Sequence, residues 1–125
     1  MNKKRRAKKA FQLGEYYFYK KQDDCNAILN YRKAIELSDL YSDSELVHMI
    51  IAKSYRYLWE FEKALIYIDK ALILSPFDFD CLEWKAKILE NMWNIEEAQV
   101  HFNQVKDIEK QVDRMDWDLD IYCKY

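Results

Sequence analysis

Ala64-Leu65-Ile66-Tyr67-Ile68-Asp69-Lys70-Ala71-Leu72-Ile73-Leu74, closed by Ser75-Pro76, carries the pattern that decides the fold. A small residue opens it, a large apolar residue follows four positions on, and alanine returns seven after the first. Ala64, Leu65, Ile68, Ala71 and Leu72 therefore form one face of a 3.6-residue helix. Pro76 cannot continue that helix and biases Ser75 away from helical geometry. The pattern stands twice more, as Ala27, Tyr31 and Ala34 and as Ala98, Phe102 and Val105. The opening alanines lie 37 and then 34 residues apart. A period of this length is the mark of stacked helical hairpins, each burying its apolar face against a neighbour.

Upstream of that helix, His48, Ile51, Ala52 and Tyr55 recur at helical spacing from Glu45 and predict a second buried stripe. Ser42 and Glu45 are spaced as a capping box. Only Leu58-Trp59-Glu60-Phe61 separates the two stripes, so the helices must run antiparallel. The small residues Ala52, Ala64 and Ala71 let the backbones approach closely.

This combination resembles the tetratricopeptide repeat (TPR): Ala52 at the small eighth position, the aromatic Tyr55 at the eleventh, then Ala64, Ile68, Ala71 and Pro76. A third unit from Phe79 fits the frame with Leu82, Ala86, Leu89, Ala98, Phe102 and Val105, departing at the charged Lys85. A first unit supplies Leu13, Gly14, Tyr17, Ala27, Tyr31, Ala34 and Leu37, with one surplus residue near Asp23-Asp24 and three or four more around positions 41–44. Loop insertions of that size cost little. The resemblance implies an all-α, right-handed α-solenoid of three antiparallel helix hairpins in a single domain. Repeats are expected at about 7–40, 45–78 and 79–112, with a capping helix or helix extension at about 113–125. Val112, Met115, Leu119 and Tyr122 would form the apolar face of that cap. Where the family commonly has glycine between paired helices, this chain has Trp59 and Trp93. Each indole either folds over its hairpin as core or stands out as an aromatic ridge.

Composition agrees with helices. Half of the 125 residues are apolar and 16% aromatic, while Gly14 and Pro76 are the single glycine and proline. Strand-rich folds need turn residues far more often. No apolar run is long enough for a membrane span, and no hydrophobic stretch follows the basic N-terminus, so neither membrane insertion nor a secretory signal is expected. Cys25, Cys81 and Cys123 are widely spaced and encode neither a zinc knuckle nor a disulfide framework. Reduced thiols and a cytoplasmic location are the expectation. Net charge is −2, yet Lys3, Lys4, Arg5, Arg6, Lys8 and Lys9 crowd the start and a run of aspartates crowds the end.

No enzymatic chemistry is expected, and neither a metal nor a cofactor. His48 lies on a buried stripe, His101 far along the chain, and Cys81 has no neighbouring histidine. A chain with one glycine cannot build a glycine-rich phosphate loop. The basic N-terminal cluster has no interleaved aromatics before Phe11, and the whole chain is slightly acidic, so nucleic acid is not the expected partner.

In TPR arrays the first helix of each hairpin lines a concave groove, which the resemblance carries onto Phe11, Phe18, Tyr19, Met49, Ile50, Lys53, Arg56, Tyr57, Trp84 and Lys87. Aromatic and methionine side chains beside arginine are the types enriched at binding hot spots. A partner protein or peptide with apolar anchors and some acidic character would suit that surface, as in the TPR chaperones of bacterial secretion systems. Some three-repeat TPR domains instead grip chaperone tails with a dicarboxylate clamp. Its positions here are Phe11, Glu15, Ile50, Asp80 and Trp84, which supply no cation, so that class is excluded. The alternative is a self-assembling unit whose basic N-terminal end meets the acidic end of another copy.

Overall fold

The computed structural model describes the backbone of residues 2–123 and the side chains of residues 2–112. Seven α-helices account for nearly all of it: α1 (Lys3–Glu15), α2 (Asp24–Leu37), α3 (Asp39–Ser42), α4 (Glu45–Tyr57), α5 (Phe61–Leu74), α6 (Phe79–Asn91) and α7 (Ile95–Cys123). A five-residue π-helix, Tyr16–Lys20, continues α1. There is no strand among the described residues. The chain divides into two compact units, residues up to Pro76 and residues from Phe77 onward.

In the first unit α1 and the π segment pair with α2, α4 pairs with α5, and α2 packs on α4 to join the two hairpins. Helix starts follow the polar residues before them. Asn2, Asp23 and Ser44 each accept a hydrogen bond from the backbone N–H three residues on, satisfying a donor that the first turn leaves orphaned. The capping residue of α4 is therefore Ser44, not the expected Ser42. Ser42 instead ends α3, and its carbonyl accepts a 2.8 Å hydrogen bond from His48 Nε2. His48 is thus a packed core histidine that ties down the inserted turn.

The small positions read from the repeat form the centre of the core. Ala27, Ala34, Ala52, Ala64 and Ala71 are fully buried, together with Tyr31, Ile51 and Ile68. Packing at the first small position is tighter still, because a Cβ on Gly14 would lie 2.8–3.0 Å from ring atoms of Tyr31. Glycine is needed there to admit an aromatic ring where the second hairpin has Ile68.

The second unit is the hairpin of α6 and α7. Asp78 caps α6 through Cys81 N–H (3.1 Å) and Asn94 precedes α7 in the same role (3.4 Å). Leu82, Ala86, Leu89, Ala98 and Val105 are buried in the expected frame, and Phe102 is half-buried. The backbone of α7 runs unbroken through Cys123, so the region expected as a cap extends the last helix. The apolar face proposed for it at Met115, Leu119 and Tyr122 lies outside the described side chains.

The two tryptophans stand out from their hairpins. Trp59 is 77% exposed and Trp93 86%, each at φ 63°, a left-handed conformation that favours glycine. Neither indole folds over its hairpin as core.

Candidate binding site

The three hairpin turns can be compared bond by bond. In the second, Glu60 N–H donates to the Tyr55 carbonyl (2.9 Å) around Trp59; in the third, Asn94 N–H donates to Leu89 (2.9 Å) around Trp93. Both are closures of a helix end through one left-handed residue. In the first turn the left-handed residue is Gln22 (φ 51°), and Asp23 N–H donates to the carbonyl of Tyr17 at 2.8 Å, one residue further back. The surplus residue therefore does not sit near Asp23-Asp24 as expected. It is absorbed in the π segment, where Lys21 N–H reaches the Tyr16 carbonyl at 3.2 Å. One extra residue inside a helix turns every following side chain by roughly 100°, and that rotation falls on Phe18 and Tyr19.

Phe18, Tyr19, Gln22, Asp24 and Tyr57 line one cavity of about 470 Å³ in the first unit. Phe18 and Tyr19 meet edge to face, with ring centroids 4.9 Å apart at 90°. Tyr19 is 59% exposed and Tyr57 50%. Two carboxylates lie at the start of α2, and they differ. Asp23 is committed to Asn26, accepting from its backbone N–H (3.1 Å) and from its side-chain amide (2.7 Å), which hold its carboxyl below the usual range. Asp24 belongs to the cavity. Burial raises its carboxyl above the usual range, the buried Ser54 hydroxyl opposing that shift and the Asp23 charge adding to it.

Three of the residues expected in the groove are thus brought together, and three others are not available. Met49 and Ile50 are buried, at 9% and 2% exposure, and are corrected to core. The reason is that α4 is packed by α2, α3 and α5, so its buried arc is wider than one stripe. Phe11 is also spent internally: its ring stacks on Tyr41 (4.8 Å) and meets Tyr31 edge-on (5.8 Å). Lys53 and Arg56 are half-buried on α4, and each has an interaction within the protein. Trp84 and Lys87 belong to the second unit, where the lysine ammonium lies 4.7 Å from the indole centroid and 3.3 Å from Glu83. Gln22 and Asp24 were missed by the sequence reading. Their signal was the spacing from Tyr17 to Ala27, one longer than from Tyr55 to Ala64.

Among the described residues no group of three or more His, Cys, Asp or Glu side chains is placed to hold a metal ion. None of the described helices is long and apolar enough to cross a membrane.

An all-α stack of hairpins with small residues at each crossing defines a helical-repeat protein, and solved structures identify the type. A crystal structure of MamA superposes with a TM-score of 0.75 at 16% identity, covering 83% of this chain; this chain spans 58% of that one. The second TPR of Spaghetti (RPAP3), bound to an HSP90 peptide, gives a TM-score of 0.71 at 20% identity over 82% of this chain and 91% of that one. The TPR2B domain of yeast Sti1, in a complex with pHsp70, gives 0.75 at 20% identity over 88% and 85%. The fold is that of the tetratricopeptide repeat. No family sequence model matches the chain, and no curated protein matches it in sequence.

Proposed function

We propose that this chain is a non-catalytic protein-interaction module, a cytosolic adaptor or chaperone-like protein, that holds a partner segment by apolar anchors. The observation that carries this reading is the convergence of Phe18 and Tyr19 from the first hairpin with Tyr57 from the second on one open cavity. Half-exposed aromatic rings around a concavity supply large contact area at low entropic cost. Lys53 and Arg56 precede Tyr57 on α4, and Trp84 with Lys87 shows similar residue chemistry on α6 of the second unit. The RPAP3 and Sti1 structures support the reading, since each of those domains is seen with a chaperone peptide or chaperone-derived partner. A carboxylate-terminated tail is not the occupant proposed: Glu15 and Asp80 hold clamp positions and would repel it.

The test begins with random-peptide phage display against the full chain. Tyr19→Ala combined with Tyr57→Ala should lower affinity for the selected peptides by about tenfold or more, with the helical circular dichroism of the parent. Unchanged affinity in a folded double variant overturns the site.

A second reading, self-assembly, is favoured by a separate cleft of about 460 Å³ between α1 and α2 in which Arg6, Lys9 and Lys33 face the single acid Glu36. An assembly held by that cleft dissociates as salt rises. A monomer by light scattering at both low and high ionic strength dismisses it.

A further inference from the structure

We infer that the first hairpin carries a second docking surface, where two clefts meeting at Leu37 take an extended acidic segment of a partner protein, its carboxylates flanking an aliphatic anchor. This goes beyond the proposed function, and the surface shares no lining residue with the Phe18–Tyr57 cavity. One cleft, of about 460 Å³, lies between α1 and α2; the other, of about 520 Å³, lies between the start of α1 and the α3 turn. Arg6, Lys9 and Lys33 line the first, and Lys3, Lys4 and Lys8 the second. The acids of the two linings are Glu36 and Asp39, so six cations against two acids leave an excess of four. Leu37 lines both clefts, with Leu13 in one and Leu40 in the other, so aliphatic surface lies between the charges.

The helix itself gains nothing from this charge. Lys3, Lys4, Arg5 and Arg6 occupy the first turn of α1 with no acid among them. Cations at a helix start oppose its dipole, and carboxylates laid over them relieve that cost. Three other occupants suit the clefts less well. Tyr41 is the one ring in either lining and Phe11 already stacks on it at 4.8 Å, so no platform of rings is offered to successive bases. Ala10 is buried and Leu37 half-buried at the floor, within reach of a peptide side chain but not of a flat bilayer. The chain's own aspartate run belongs to α7, whose backbone is helical through Cys123. A helix is about 10–12 Å across, whereas an extended segment sends alternate side chains inward and fits a narrow cleft.

The probe is a peptide selected by random phage display on the full chain carrying Tyr19→Ala and Tyr57→Ala, which removes the other cavity from the competition. The expected sequences hold leucine, isoleucine or methionine with aspartate or glutamate on both sides. Lys9→Gln with Lys33→Gln should weaken their binding about tenfold, the scale of two exposed ion pairs. Lys9→Arg with Lys33→Arg should keep it, and so should Lys106→Gln with Lys110→Gln, which lowers the net charge equally in the second unit. Selected peptides without an acidic pattern, or equal losses from the two Lys→Gln pairs, overturn the inference. A synthetic peptide of residues 113–125 that competes as strongly as the selected ones assigns the clefts to a second copy and overturns the partner-protein source. Displacement of the peptide by phosphatidylserine vesicles or oligothymidylate at lower concentration than by free peptide overturns it in favour of lipid or nucleic acid. None of these results touches the proposed function, whose tyrosines are absent from the selection.

Discussion

The first hairpin turn and the second are built on one plan, and a single residue separates them. Both pass through a left-handed residue, Gln22 in one and Trp59 in the other, five positions before a fully buried alanine. The second closes over five residues with a regular helix end, and its indole stands in solvent. The first closes over six, stores the surplus as a π segment, and thereby aims Phe18 and Tyr19 at the cavity shared with Tyr57. A regular turn serves the stack; the irregular one supplies the proposed site. Local departures from a repeat's rule are where function is expected to reside.

The small crossing position offers the strongest way to break this comparison. The first hairpin sets Gly14 against Tyr31, and the corresponding positions of the second are Ala52 and Ile68, both fully buried. Gly14→Ala forces a methyl into the fully buried Tyr31 ring and should cost about 1–3 kcal/mol in chemical denaturation. Adding Tyr31→Ile, which gives the first hairpin the residues of the second, should recover part of that loss. No recovery would show that the two hairpins pack by different rules.

A smaller effect is expected at the left-handed positions. Trp93→Gly removes an exposed indole from a backbone conformation that costs a side chain energy, and should raise stability by up to about 1 kcal/mol. A fall in melting temperature instead would mean that the indole is packed. The smallest effect concerns the Tyr31 hydroxyl, which is buried without a hydrogen-bond partner among the described residues. Tyr31→Phe should change stability at neutral pH by no more than about 0.5 kcal/mol, because no made bond is lost. Its effect appears in alkali. Burial pushes the Tyr31 phenol well above its ordinary 10.0, with the Glu15 and Tyr19 charges adding to the shift. The unfolded chain therefore ionises first, and this contribution is complete below pH 10.0 and lost as pH climbs beyond it. Tyr31→Phe should move alkaline unfolding to higher pH, the raised Tyr67 phenol leaving a residual limb.

Much of the fold was legible because the small residues of a helical repeat are obligatory: Ala27, Ala34, Ala52, Ala64, Ala71, Ala86 and Ala98 all read directly onto buried crossings. Pro76 marked the end of α5 for an equally local reason. The candidate site was only half legible. Periodicity identifies which side of α4 is buried but not how wide the buried arc is, so Met49 and Ile50 read as groove and are core. Phe11 was lost to the site by an inserted turn whose Tyr41 stacks on it, a tertiary contact that no spacing encodes. Gln22 and Asp24 escaped for a related reason. The surplus residue could be counted from the sequence, but hydrogen bonding decides which turn absorbs it.

The most direct test of the central claim is to make the first turn regular. Deleting Lys20 from the full chain removes the surplus residue and gives the first hairpin the spacing of the second. The affinity of this variant for the selected peptides is then measured against the parent. The account predicts a protein of parental helicity whose peptide affinity is lower by about tenfold or more. A folded deletion variant that binds those peptides as tightly as the parent would contradict it.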